Sequence, residues 1–281
     1  PEPDFGAIAG REAAGLRTDA GIRRRVAAGL RAARACGAEV VTWSDPSWPP
    51  ALRHLADPPP VLFLRGDPAL LEGPAVTVVG ARRATERARD VARRLGSAVA
   101  RSDRVVVSGL ALGVDGAAHR GALDAGGDTV AVLGTGPDVA YPRSHAKLFA
   151  RIATEGLVVS EFLPGTRAAP HHFPRRNRIL AALSDATVVV EAGARSGALI
   201  TVDHALDLGR EVWAVPGPID RAACAGSNRL LVDGARPLVS IHDFVAAFGG
   251  SAGGPAAGRA AGPGPTSDAA RPSGTPEARV L

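Results

Sequence analysis

Three arginines, Arg175, Arg176 and Arg178, stand in the run HHFPRRNRILAA (His171–Ala182), with Asn177 among them and Phe173 just upstream. No acidic residue occurs from Phe162 to Ser184, so Arg167 and this cluster have no neutralising carboxylate close by in sequence. Guanidinium forks take phosphate oxygens in pairs and stack on flat rings, and an aromatic ring offers any base a π-face. The apolar positions Ile179, Leu180 and Leu183 place the cluster at the start of a short buried helix, whose first N–H groups also favour anions. An arginine-rich helix start that merely solvates a surface reads the same way, so the rest of the chain has to decide.

Glycine-rich segments supply the second signal: Gly80–Ala81–Arg82, Ser108–Gly109–Leu110–Ala111–Leu112–Gly113, Gly134–Asp138, Gly193–Gly197 and Gly217. Each follows a candidate strand, and glycine lets backbone N–H groups approach a phosphate closely. One such turn is ordinary in any α/β protein. Several on one sheet edge, with Arg82, Ser108, Ser196 and Thr201 attached, point to a phosphate-binding groove. No Walker A lysine loop is present, and GARRAT lacks the dinucleotide spacing, so no cofactor is expected. Asp115 and His119 are one helical turn apart but have no third ligand, and read as a helix-start carboxylate and a satisfied histidine. Ser108 lacks the GxSxG context of a nucleophile, and His171 and His172 are read as flanking the groove. Glu191 ends a strand at the binding edge. It is the best lone candidate for a general base, though receiving hydrogen bonds from a loop or an arginine suits it better.

The elements that must carry these residues follow from hydrophobic patterning. Short Val- and Leu-rich strands are expected at Glu39–Trp43, Val61–Leu64, Val76–Val79, Val105–Val107, Thr129–Leu133, Leu157–Ser160, Ala186–Val190 and Glu211–Val215. Between the later ones lie helices through Val91–Leu95–Val99, Asp115–Leu123, Ser144–Ala153 and Ala198–Leu208. This alternation argues a doubly wound α/β fold with a mostly parallel sheet, over 39–248. Residues 1–38 read as a helical remnant in which Ile22, Val26 and Leu30 form one stripe. Residues 249–281, dominated by Gly, Ala, Pro and Ser without apolar periodicity, are expected to be a disordered tail.

The chain has 281 residues and a formal net charge of +5, which favours an anionic partner. Its two cysteines, Cys36 and Cys224, form neither a metal-ligand spacing nor a disulfide framework, so a reducing cytoplasm is the expected setting. No run approaches a membrane span. A chain starting at Pro1 is read as lacking its native start.

In order and spacing, VVGARRATERARDVARRL, SGLALGVDGAAHRGAL, TVAVLGTGPDVAYPRSHAKL, SEFLPG, HHFPRRNRILAALSDATVVVEAGARSGALIT and VWAVPGPI…GSNRLLVDGA resemble the DprA/Smf DNA-processing family. The upstream DPSWPPALRHLADPPPVLFLRGD resembles the segment that precedes that family's core, so the likeness runs from about residue 42 to 238. It implies an extended Rossmann fold, a homodimer, binding and protection of single-stranded DNA in natural transformation, and loading of the RecA recombinase, without enzymatic activity. It also implies binding residues. Arg82 stands at the family's GSR arginine, and Ser108, Gly109, Ala111 and Gly113 at its SGxAxG loop. Phe173, Arg175, Arg176, Asn177 and Arg178 occupy its FPxRNR segment, with Ser196, Gly197 and Thr201 at SGxLIT. Lys147 is a further cation after the YP pair.

Three departures stand out. Ala81 replaces the usual Ser before the motif arginine, and His145 stands where Asn is common, which changes that loop's hydrogen bonds. Residues 1–37 match at most part of the family's helical N-terminal domain, and 249–281 do not resemble its winged-helix-like end. The rival reading is a nucleotide-processing enzyme of the phosphoribohydrolase type on a related fold. The absence of the PGGxGTxxE acid from GARSGALIT argues against it.

Overall fold

The computed structural model describes residues 20–249. The expected disorder of the tail and the structure of the first 19 residues lie outside that span. Nine strands form a single sheet: β1 (Glu39–Thr42), β2 (Val61–Gly66), β3 (Ala75–Val79), β4 (Val105–Ser108), β5 (Thr129–Val132), β6 (Leu157–Ser160), β7 (Ala186–Val189), β8 (Glu211–Ala214) and β9 (Arg236–Pro237). Their order is β1-β2-β6-β5-β4-β3-β7-β8-β9. The pairs from β6 through β9 are parallel, with Val76 opposite Ala186 and Val106 opposite Thr129, whereas β1–β2 and β2–β6 are antiparallel. Fully buried runs such as Ala75–Val79 are what a sheet covered on both faces requires.

Eight helices are described: α1 (Ala20–Ala35), α2 (Glu86–Ala100), α3 (Val114–Asp124), α4 (Ala146–Glu155), α5 (His172–Ala182), α6 (Ala198–Asp207), α7 (Ala225–Val232) and α8 (Ile241–Gly249). One face of the sheet packs Val79, Val107 and Val189 against Ile179 and Leu180 of α5 and Val202 of α6, and the proline-rich upstream segment adds Trp48 and Leu52. The other face packs Val76 and Val78 against Leu95 and Val99 of α2, Ala118 of α3 and Phe244 of α8. None of the helices is long and apolar enough to cross a membrane.

Two sequence expectations need correction. In the α1 stripe Val26 and Leu30 do not turn inward, being 55% and 40% exposed, and Ala33 makes the buried contact with Ala38 and Phe63. A helix lying on a sheet edge buries what its small residues let approach closely, whatever the apolar periodicity. The helix expected from Ser144 begins instead with a 3-10 turn, Arg143–His145, and becomes α-helical at Ala146.

Chain order sets where a ligand can sit. From β3 the chain winds outward through β4, β5 and β6, then returns to place β7 on the opposite side of β3. The loops after β3 and β7 therefore diverge, opening a crevice beyond the carboxyl ends of the strands.

Candidate nucleic-acid interface

A cavity of about 790 Å³ occupies that crevice. Its walls are Gly80–Ala81–Arg82 after β3, Ala111 and Asp115 around the start of α3, Tyr141, the Ala168–Pro170 approach to α5 with Phe173, Arg176 and Asn177, and Gly193 with Arg195–Ala198 and Thr201 around the start of α6.

The loops are held by backbone and buried side chains. The Ala81 N–H donates to the Glu191 carbonyl at 2.7 Å, and the Val114 N–H to the Ala81 carbonyl at 3.3 Å. Gly113 adopts φ +78°, and a Cβ there would lie 2.2 Å from the Ala81 oxygen, so that turn requires glycine. Leu110, buried at φ +56°, is held in the left-handed region while its carbonyl accepts from His145 Nδ1 at 3.1 Å. The His145 departure thus exchanges an amide for a buried ring that braces the same loop, and burial lowers its pKa. Asp115 Oδ2 accepts from the Gly109 and Ala111 N–H groups at 3.1 and 3.3 Å. Burial raises the Asp115 pKa against the opposing pull of Arg176.

The arginine cluster divides by role. Arg176 is 4% exposed, and its Nη1 donates to the carbonyls of Gly109 and Val132, tying α5 to the ends of β4 and β5. Burial pulls its pKa down to about 10, with Asp115 acting in the opposite sense. Arg178 is 6% exposed, paired fork-to-fork with Glu161 at 2.8 and 2.9 Å, and its Nε donates to the Asp57 carbonyl at 2.7 Å. Arg175 reaches the same Glu161 at 3.2 Å with half its side chain exposed. The missing carboxylate is therefore Glu161, the residue immediately before the acid-free stretch, folded back over the helix start. Asn177 also serves as a strut, donating to the Gly197 carbonyl at 3.1 Å.

Of the residues proposed from sequence, Arg82, Ala111, Phe173, Arg176, Asn177, Ser196, Gly197 and Thr201 meet in the cavity wall. Ser108, Gly109, Gly113, Lys147, Arg175 and Arg178 do not line it. Ser108 is fully buried and donates to the Val78 carbonyl at 2.6 Å, which removes it as a ligand contact. Lys147 is exposed on α4. Sequence reasoning missed Tyr141, Asp115 and Arg195 as wall residues, although GARSG and the YP pair marked two of them. Arg82 and Arg195 are the exposed cations of the wall. The Arg82 guanidinium carbon lies 4.9 Å from the Phe173 ring centroid, and Tyr141 lies 5.5 Å from it on the centroid scale.

The sceptical readings of the acids agree with the structure, whereas His119 is satisfied at Nδ1 only, its buried Nε2 having no hydrogen-bond partner among the described residues, and His171 and His172 do not line the cavity. Glu191 accepts from the Thr85 N–H and Oγ1 at 3.0 and 2.7 Å, while Thr85 caps α2. His119 Nδ1 lies 2.7 Å from Thr129 Oγ1, whose proton goes to the Val106 carbonyl, so Nδ1–H is the donor. Gly217 belongs elsewhere, exchanging two 3.0 Å hydrogen bonds with Asn228.

Fold and site together define a Rossmann-like protein with a cation-rimmed, aromatic-walled pocket at its topological switch point. Residues 39–249 match the family model for DNA recombination-mediator protein A. A putative DNA processing protein DprA from Mycobacterium tuberculosis is 45% identical over 231 residues, 77% of this chain and 59% of that protein, so the chain spans about three-fifths of that relative. The DNA processing protein DprA of Streptococcus pneumoniae is 41% identical over 73% of this chain and 72% of its own length. Its X-ray structure superposes with a TM-score of 0.71, at 39% identity and 74% coverage of both chains. A structure of DNA processing protein A from Helicobacter pylori, described for its single-stranded DNA binding mode, gives a TM-score of 0.69 at 30% identity over 76% of this chain and 97% of that one. The chain belongs to the DNA recombination-mediator protein A (DprA/Smf) family.

Proposed function

We propose that this protein binds single-stranded DNA in the switch-point pocket, protects it, and hands it to a RecA-type recombinase. It acts as a cytoplasmic homodimer and through binding rather than catalysis. The binding unit is 39–248, with the preceding helical segment an appendage to it. The observation that carries the reading is the composition of the wall: exposed Arg82 and Arg195, the Phe173–Tyr141 ring pair that Arg82 packs against, and glycine-bearing loops. Arginine and loop N–H groups suit a phosphate backbone, and rings suit bases of any identity. The Helicobacter pylori relative, described as binding single-stranded DNA, supports the same reading.

Lys147 and Arg175 lie outside the cavity and are assigned to the strand's path over the surface. Ser108, Gly109, Gly113, Arg176, Asn177 and Arg178 are assigned to holding the pocket's shape. Self-association is assigned to the helices around residues 198–232, where Leu206 and Val232 stand 59% and 78% exposed. The nucleotide-processing alternative gains nothing from the site, since Glu191, its best candidate base, is engaged by Thr85.

The test is fluorescence anisotropy with labelled single-stranded and duplex oligonucleotides over a salt series. Single-strand affinity should fall steeply with salt, and Arg82→Ala or Arg195→Ala should weaken binding alike for all sequences and reduce the salt slope by about one each. A single-strand affinity that is flat with salt, or indifferent to both substitutions, would refute the assignment.

A further inference from the structure

Tyr141 is the one tyrosine in the chain. It lines the mouth of the cavity with 43% of its surface exposed. The family motifs point to Phe173 as the stacking ring, but the structure leaves Phe173 only partly exposed, beneath Arg82 and against Gly134. The Arg82 guanidinium lies over the ring at 4.9 Å from its centroid. Gly134 presses so closely on the ring edge that a Cβ there would come 2.8 Å from Phe173 Cδ1. Tyr141 also neighbours the ring, at 5.5 Å between centroids and 34° between planes. Of the two rings, Tyr141 is the more exposed to solvent.

Resting on the single-strand reading, we propose that Tyr141 is the ring on which a base of the bound strand stacks. Phe173 is the positioning residue behind it. The Tyr141 hydroxyl makes no hydrogen bond to any described residue, so it remains available to a base edge or a phosphate oxygen. Exposed Arg143 and Lys147 follow it in the chain and place positive charge along the continuing backbone of the strand. Stacking of this kind tolerates any base, because every base has a π-face.

The experiment uses the full chain and a short oligodeoxythymidylate carrying one 5-iododeoxyuridine. The strand is irradiated in the complex, and the adduct is mapped by peptide mass spectrometry. Anisotropy titrations follow for the wild type, Tyr141→Ala and Tyr141→Phe, on the intact strand and on strands with single abasic positions. The adduct should map to Tyr141. Tyr141→Ala should weaken binding roughly fivefold to 150-fold, the equivalent of about 1–3 kcal/mol per stacked base, and Tyr141→Phe should keep most of the affinity. At one abasic position the alanine variant and the wild type should bind equally, a result that loss of folding could not produce. Wild-type binding with an unaffected Tyr141→Ala, or an adduct anywhere other than Tyr141, overturns this assignment and leaves the single-strand function standing. Absence of single-strand binding by the wild type overturns both.

Discussion

At the scale of residues, arginines only a few positions apart have different work. Arg178 is buried against Glu161, whose side chain is 2% exposed, and a buried carboxylate left with only its 3.2 Å contact to half-exposed Arg175 is expensive to keep. Arg178→Ala should therefore lower stability by about 3–5 kcal/mol in urea unfolding, and its effect on DNA should follow from that loss. Arg82→Ala should do the reverse, leaving unfolding nearly unchanged while weakening single-strand binding, because Arg82 is exposed and pairs only with the Phe173 face. Arg176→Ala belongs with Arg178→Ala: two carbonyls at the ends of neighbouring strands would lose their donor.

At the scale of elements, the pocket is a set of turns braced against one another. The start of α3 depends on Gly113, whose backbone conformation excludes side chains and whose Cβ position is occupied by the Ala81 carbonyl. Gly113→Ala should destabilise the protein by at least about 2 kcal/mol, the strain of a conformation reserved for glycine added to a backbone clash. Single-strand affinity should fall with it, since the Ala81–Arg82 turn is what the new methyl would displace. Urea titration and anisotropy on the same preparation measure the two effects. This dependence was half legible in sequence: glycine at the turn was evident, but the partner it faces, 32 residues earlier in the chain, was not.

At the scale of the whole molecule, the layer between sheet and helices contains a histidine kept neutral. Burial, then the neighbouring His145 and Arg176, lowers His119 from its ordinary 6.5 to about 3. A group with a depressed folded pKa stabilises the fold fully above its unfolded value and loses that contribution as pH falls through the folded one. Stability should thus decline from pH 6.5 downward, at up to about 1.4 kcal/mol per pH unit for this group, with His145 adding in the same direction. His119→Asn should be less stable at neutral pH and show a flatter decline between pH 6.5 and 4.5 than the wild type. Urea midpoints at several pH values would show it.

What the sequence determined by itself was local or periodic. Alternating Val-rich runs and helical stripes placed strands β3–β8 to within a residue or two, because buried parallel strands and amphipathic helices leave distinct repeats. Motif spacing placed the glycine turns at the carboxyl edge. Tertiary structure alone decided which charges are free. Glu161, just before the acid-free stretch and 17 residues from Arg178, neutralises Arg175 and Arg178. Strand carbonyls of Gly109 and Val132, 67 and 44 residues away, consume Arg176. It decided likewise that Tyr141 faces solvent while Phe173 lies under Arg82, and that α1 turns Val26 and Leu30 outward. The physical reason is common to all of these. Periodicity records which face of an element is apolar, whereas the partner of a long polar side chain is set by which loops the sheet order brings together.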